Sequence, residues 1–262
     1  MNPAAVGAIT MSARVRATAA AVRFVATATR YLEAEMLGLA ELVAPGSVCL
    51  DVGAAAGVYT QMLSRLVGPA GQVHSVEPLA FAHPRWSRIL RACSAANVQR
   101  HQLALGARPG TEHMSVPLGP RGFVTGRSFL DTQTSGPGSN AEFDAEVSVA
   151  VTVETLDGFW ARVAAPRLDF IKIDVEGAEL HVLSGGEQVI EAFRPVLLVE
   201  IEARHAARYA HDPTDVVDWL ARRGYGMQVW ERGWHPAAGV CGHTRNYLFR
   251  PGGRPLRPGR RR

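Results

Sequence analysis

Two stretches of this sequence combine residue types and spacing suited to chemistry. The first is Asp51-Val52-Gly53-Ala54-Ala55-Ala56-Gly57-Val58-Tyr59-Thr60, where an apolar run gives way to a helical pattern. Gly53 permits a sharp turn with close backbone approach, and Gly57 lets the following helix pack near the strand. Glu77-Pro78 stands 24 residues beyond Gly53, at the end of the next strand pattern. A carboxylate at that place accepts two hydroxyl protons and so holds a ribose diol. A Gly-x-x-x-Gly turn alone is often only a tight connection. After a strand, before a helix and followed by an acid, it points to an adenosine-containing ligand. The second stretch is Leu168-Asp169-Phe170-Ile171-Lys172-Ile173-Asp174-Val175-Glu176-Gly177-Ala178-Glu179, a buried-type strand that ends in three carboxylates over six residues. Acids at a strand's carboxyl end are expensive unless they face a cleft, and ligands of open α/β sheets bind in such clefts. Glu176 and Glu179 also stand where a helix would start, and the macrodipole favours acids there.

The charge beside the glycine turn selects among nucleotides. Dehydrogenase loops use Gly-x-Gly-x-x-Gly so that a pyrophosphate sits on a helix N-terminus. Here Ala55 replaces the middle glycine, and Asp51 ends the first strand. A carboxylate there repels a pyrophosphate and suits a ligand with an ammonium and a sulfonium, so S-adenosylmethionine is favoured over NAD. An NAD-dependent oxidoreductase and a non-catalytic cofactor-binding module remain as alternatives.

The sequence resembles the FkbM-type methyltransferases. The block Lys172-Ile173-Asp174-Val175-Glu176-Gly177-Ala178-Glu179 carries most of that resemblance. It is joined by Val182-Leu183-Ser184-Gly185-Gly186 and Arg194-Pro195-Val196-Leu197-Leu198-Val199-Glu200. Asp51 through Gly57 with Ala54, Tyr59 and Thr60, then Glu77-Pro78 and Thr155-Leu156-Asp157, fit the same pattern in the same order over about residues 40 to 250. The resemblance implies a Rossmann-like, S-adenosylmethionine-dependent enzyme, usually an O-methyltransferase acting on a natural-product or sugar hydroxyl. It also implies that the Gly53 to Gly57 loop, Tyr59, Thr60 and Pro78 lie at the cofactor. The family commonly has Asn where this chain has Ala55.

Methyl transfer from a sulfonium is an in-line displacement, in which positioning supplies about 7–11 kcal/mol. A placed base adds about 10²–10⁴-fold. Asp174 is the first candidate for orienting or deprotonating the acceptor, Glu200 ends the next strand beside it, and Glu176 belongs to the same group. Two neighbouring acids also suit Mg²⁺, but the sequence offers no clear third ligand, and metal-free transfer is the expectation. His205 and His211 are weaker choices for the base. His181 reads as a packed residue, as do Trp230, Trp234 and Tyr225, which otherwise would line an acceptor pocket.

Strand patterns at Val48–Val52, Gln72–Val76, Val98–Leu105, Val147–Val153, Leu168–Ile173, Val196–Glu200, Gly226–Trp230 and Tyr247–Phe249 must position these residues. They alternate with helix patterns at Tyr31–Val43, Val58–Val67, Ser87–Ala96, Glu179–Ala192 and Thr214–Arg223. That alternation predicts a Rossmann-like, mostly parallel sheet with helices on both faces over residues 31–249. A poorly ordered or helical N-terminal extension (1–30) would precede it and a basic, disordered tail (250–262) follow. Gly119 to Ala145, rich in Gly, Ser, Thr and Pro, reads as a long surface loop.

Composition narrows the partners. The last 13 residues hold six arginines and no acid, leaving 22 basic against 24 acidic groups elsewhere, a net of −2. No basic face for nucleic acid can be read from such a body, and no apolar run approaches membrane-spanning length. The three cysteines, Cys49, Cys93 and Cys241, form no disulfide framework, which favours a reducing, cytoplasmic setting. A small-molecule or glycoside acceptor is the partner expected.

Overall fold

Val48–Val52, Phe170–Ile173 and Val196–Glu200 are buried at every position, as strands covered on both faces must be. In the computed structural model, which describes residues 33–252 apart from 80–94, 121, 132–133, 135–139, 141–142 and 210, they are β1, β9 and β10 at the centre of an eight-stranded sheet. With β2 (Gln72–Val76), β3 (Val98–His101), β11 (Tyr225–Trp230), β12 (Trp234–Pro236) and β13 (Asn246–Pro251), the order is β12-β11-β13-β10-β9-β1-β2-β3. The five strands from β10 to β3 run parallel. β13, β11 and β12 join antiparallel at one side. The chain builds outward from β1 to β3, then returns past β1 to β9. This reversal opens a crevice at the carboxyl ends of β1 and β9.

Side chains alternate across the sheet with period two. Leu50, Val52, Ile171, Ile173, Leu197 and Val199 join one core cluster, and Cys49, Phe170, Leu198 and Leu248 join the other. Among the described residues the helices are α1 (Leu39–Leu42), α2 (Val58–Val67), α3 (Leu156–Val163), α4 (Glu179–Ser184), α5 (Glu187–Phe193), α6 (Ala203–Ala206) and α7 (Pro213–Ala221). A 3-10 turn over Ala34–Gly38 precedes α1. α7 begins with Pro213 behind an Asp212–Asp215 capping box. Among the described residues no helix is long and apolar enough to cross a membrane.

Four expectations change. The helix read over Glu179–Ala192 is two helices, α4 and α5. They break at Gly185-Gly186, where a Cβ would stand 2.1 Å from the Gly106 carbonyl oxygen and 2.4 Å from Leu156. The strand read over Val98–Leu105 divides between two sheets. Its second half, β4 (Ala104–Leu105), pairs with β8 (Ala145–Glu154). Part of the presumed Gly119 to Ala145 loop belongs to that second sheet, in which β5 (Gly110–Gly119) pairs antiparallel with β8 from Gly110↔Val153 to Leu118↔Ala145. β6 (Gly122–Phe123) and β7 (Phe129–Leu130) flank β5. The N-terminal extension, most of the Ser87–Ala96 helix and the tail beyond 252 lie outside the described residues. Arg250 and Pro251, assigned to the tail, are strand residues of β13.

Candidate active site

Register sets the site. Val52 pairs with Val76 and with Ile173, and Ile173 with Val199, so Glu77, Gly53, Asp174 and Glu200 emerge side by side from four adjacent strands. Gly53 (φ 75°), Ala55 (φ 46°) and Gly57 (φ 87°) are left-handed, which folds the turn after β1 tightly enough for Gly57 N–H to donate to the Ala54 carbonyl at 2.6 Å. A Cβ on Gly53 would lie 1.7 Å from the Asp174 carbonyl oxygen, so only glycine fits there. The Ala55 and Leu79 amides donate to the two carboxylate oxygens of Glu77 at 2.9 and 2.8 Å. Burial raises the pKa of Glu77 and these amides oppose the rise, leaving a fixed carboxylate on the crevice wall.

Asp51 and Thr60 stand elsewhere than the cofactor wall. Asp51 is 1% exposed and accepts a 2.5 Å hydrogen bond from Thr60, which also bonds Ser75. Burial pushes its pKa up to about 6 against the Thr60 bond. The pleat turns Asp51 to the α2 side, away from the crevice. Glu33 lines the crevice, and sequence reasoning missed it because nothing before α1 marks it. It accepts a 2.5 Å hydrogen bond from the Tyr59 hydroxyl, and the Tyr59 ring lies 5.1 Å from the Lys172 ammonium.

The second motif gathers charge. Lys172, 1% exposed, donates to Asp174 and to the Ile173 carbonyl, each at 3.3 Å. Burial opposes its charge, but Asp174, Glu33, Glu200 and Asp51 outweigh that and hold its pKa above the ordinary value. Burial likewise opposes ionisation of Asp174, yet Lys172 and a hydrogen bond with Glu200 hold it low. Glu200 is raised by burial and then by Asp174, so Asp174 ionises before Glu200. Glu176, left-handed at φ 56°, is pushed up to about 8 by burial and the neighbouring Asp174. His205, lowered to about 4 chiefly by burial, stands with Nε2 3.1 Å from Glu176 Oε2 and Nδ1 3.9 Å from Glu200 Oε2. Glu179 takes the helix-start role instead, accepting the Gly177 and Val175 amides at 3.0 and 3.2 Å. His211 bonds the Gly177 carbonyl, and His181 packs against Tyr209. Trp230 and Trp234 pack on one another at 5.2 Å.

Gly53, Glu77, Pro78, Asp174, Glu176 and Glu200 thus line one cavity of about 460 Å³. Ala54, Gly57, Tyr59 and Thr60 do not line it. Leu79, Leu103, Leu105, Met114 and Leu130 supply an apolar wall, the last three from the second sheet that the sequence did not reveal. A fixed carboxylate for a diol, an apolar slot for a heteroaromatic base and a ring of acids for an ammonium and a sulfonium fit S-adenosylmethionine.

The sequence matches the model of the Methyltransferase FkbM domain over residues 51–227. No curated protein matches it. Similar solved structures include the methyltransferase FkbM of Methylobacillus flagellatus KT, with 18% identity, a TM-score of 0.46, and 91% of this chain and 55% of that chain covered. This chain therefore spans about half the length of that one. A putative caffeoyl-CoA O-methyltransferase from Staphylococcus aureus has 9% identity and a TM-score of 0.49, with coverages of 90% and 92%. Aeropyrum pernix fibrillarin, solved with S-adenosyl-L-methionine, has 14% identity and a TM-score of 0.43, with coverages of 90% and 74%. The domain match extends over well more than half of the residues, and the chain belongs to the FkbM family of S-adenosylmethionine-dependent methyltransferases.

Proposed function

We propose that this methyltransferase acts on oxygen, transferring a methyl group to a hydroxyl of a small-molecule natural product or sugar in the cytoplasm. The observation that carries this reading is the placement of Asp174 and Glu200 on the same cavity as Glu77. Glu77 would hold the ribose diol, with Gly53 and Ala55 giving the cofactor close access to the backbone. When bound, S-adenosylmethionine supplies an electrophilic methyl group. Asp174 accepts the hydrogen bond of the acceptor hydroxyl, aligns its oxygen and takes its proton as the new carbon–oxygen bond forms. Lys172 keeps Asp174 ionised and in place through the 3.3 Å contact. Glu200 and Glu176 complete the acceptor wall. Arg127, Arg204 and Arg245 line the cavity beside the acids, but the carboxylates of Glu77 and Asp174 at the strand ends flank the Gly53 turn and disfavour a pyrophosphate there, and with it the NAD-dependent alternative.

Asp174→Asn tests the assignment. Turnover against a panel of hydroxylated acceptors falls by about 10²-fold or more, while S-adenosylhomocysteine affinity stays nearly intact. Full turnover in that variant would remove Asp174 from the acceptor side.

A further inference from the structure

Glu176, Glu200 and His205 reach one point from three elements: the turn after β9, the end of β10, and α6. Glu200 is 6% exposed and His205 2%. Glu176 Oε2, Glu200 Oε2 and His205 Nε2 are buried, and none has a hydrogen-bond partner. The 3.1 Å approach of His205 Nε2 to Glu176 Oε2 is therefore misaligned for a hydrogen bond. Leaving a buried polar atom unsatisfied is costly, and three such atoms from side chains this close call for a ligand that satisfies them, with His205 Nε2 turned to Glu176 and Glu200 Oε2 now nearer to Nδ1.

We propose that Glu176, Glu200 and His205 bind a divalent metal ion of the manganese, iron or zinc class. One ligand atom from each lies within 4.8 Å of the other two. Around an ion with bonds of about 2.1 Å, ligand atoms stand roughly 3.0–3.5 Å apart, so the His205–Glu176 pair already has the spacing, and Glu200, whose Oε2 lies 3.9 Å from Nδ1, has to turn towards the Nε2 side. The donor set favours this class, because an imidazole beside two carboxylates suits Mn²⁺, Fe²⁺ or Zn²⁺ better than the oxygen-seeking Mg²⁺ and Ca²⁺. A second trio, Glu33, Asp174 and Glu200, is also close enough. It lacks a nitrogen donor, and Tyr59 and Lys172 already engage Glu33 and Asp174.

The fold holds Glu176 ready. Arg208 donates to its carbonyl oxygen at 2.7 Å, keeping a non-glycine residue at φ 56°, where strain persists only under such constraint. Gly177, at φ 110°, brings the turn against α6, since a Cβ there would stand 2.6 Å from the His205 carbonyl oxygen. Glu176 and Glu200 line the cavity, so the remaining coordination positions open towards the acceptor. On the O-methylation reading, an acceptor hydroxyl that reaches the ion loses its proton to Asp174 more readily. The methyl carbon–sulfur bond breaks as the carbon–oxygen bond forms, giving an ether and a thioether. Metal binding itself does not depend on that reading, and it replaces the metal-free expectation drawn from the sequence.

The test is a titration of EDTA-stripped full-length protein with Mn²⁺, with free ion followed by electron paramagnetic resonance. One Mn²⁺ per chain binds, and His205→Gln and Glu176→Gln each weaken it by about 30-fold or more. If a variant does not fold, wild-type crystals soaked in Mn²⁺ decide the matter by an anomalous peak among the three side chains. No stoichiometric uptake of Mn²⁺ or Zn²⁺, uptake within threefold of wild type in folded variants, or a peak elsewhere overturns the site. S-Adenosylhomocysteine binding in the same samples separates the two proposals. Its loss with Mn²⁺ uptake intact sinks the methyl-transfer reading alone, and the converse sinks the metal alone.

Discussion

Replacing Lys172 with Met tests whether the acidic strand ends depend on one buried cation. The ammonium lies 3.3 Å from Asp174 and offsets Glu33, Glu200 and Asp51 as well. At an effective dielectric constant of 20, the Asp174 contact alone is an attraction of about 5 kcal/mol. Desolvation cancels much of that in the intact pair, but removing one partner strands a carboxylate among carboxylates. Such breaks cost about 3–5 kcal/mol. Met keeps nearly the length of the side chain beside the Tyr59 ring, so the loss reports charge rather than a cavity. Urea unfolding of EDTA-treated protein at neutral pH should show an unfolding free energy lowered by that amount, read as a lower midpoint with an unchanged slope. Adding Asp174→Asn to Lys172→Met should recover part of the loss, with a coupling of about 2–3 kcal/mol in the double-mutant cycle. A Lys172→Met protein within about 1 kcal/mol of wild type, or an additive cycle, would refute the argument that this lysine neutralises the site.

Gly53→Ala and Gly46→Ala make a matched pair. Both glycines are left-handed, but a Cβ at Gly46 meets nothing within 4 Å while one at Gly53 meets a carbonyl oxygen at 1.7 Å. Gly46→Ala should lose about 1–2 kcal/mol and Gly53→Ala clearly more, along with S-adenosylhomocysteine binding; equal losses by denaturant unfolding would contradict the close approach. Glu77→Ala should weaken S-adenosylhomocysteine by about 1.5–3 kcal/mol in calorimetry, and unchanged affinity would move the ribose elsewhere. His74 is 1% exposed, and burial with His101 beside it lowers its pKa from 6.5 to about 4. The unfolded chain then binds more protons between those values, so stability falls as pH drops from about 6.5 to 4, by up to about 3 kcal/mol. His74→Leu should flatten that limb of the stability profile, and an unaltered acid limb would assign the proton uptake to other groups.

The parts of the fold legible in the sequence are those buried from both sides. β1, β9 and β10 read as apolar runs because no face of theirs meets water, and Glu77, Asp174 and Glu200 stand out because each ends such a run with a charge. The second sheet lacked that contrast. β5 is half exposed along Gly-Thr-Glu-His-Met-Ser-Val-Pro-Leu-Gly, carries a proline, and owes its shape to β8, with pairs that run from Leu118↔Ala145 to the more distant Gly110↔Val153. The α4–α5 break is also tertiary, since Gly106 and Leu156 press on Gly185 and Gly186. Asp51 teaches a different point. Its type suited an ammonium, but Cys49 shares its face of the strand and packs on the α2 side, so period-two alternation already directs the carboxylate away from the crevice. His205 was visible as a histidine near the cleft; its meeting with Glu176 depends on the Gly177 turn and on Arg208, which local pattern does not encode.

The four strand ends also explain where a reaction would run. In spatial order across the sheet they present Glu77, Gly53, Asp174 and Glu200. On the proposed reading, the three carboxylates separate into a diol holder on one side and an acceptor pair on the other. Between them stands the one position that tolerates no side chain, because a Cβ would enter the Asp174 carbonyl. The absence of a side chain at Gly53 lets the turn after β1 lie against Asp174, and on the proposed reading a cofactor over this turn has its sugar at Glu77 and its far end at Asp174. Gly53 joins the two halves of the site into one cavity, and the bond to be broken should lie on its Asp174 side.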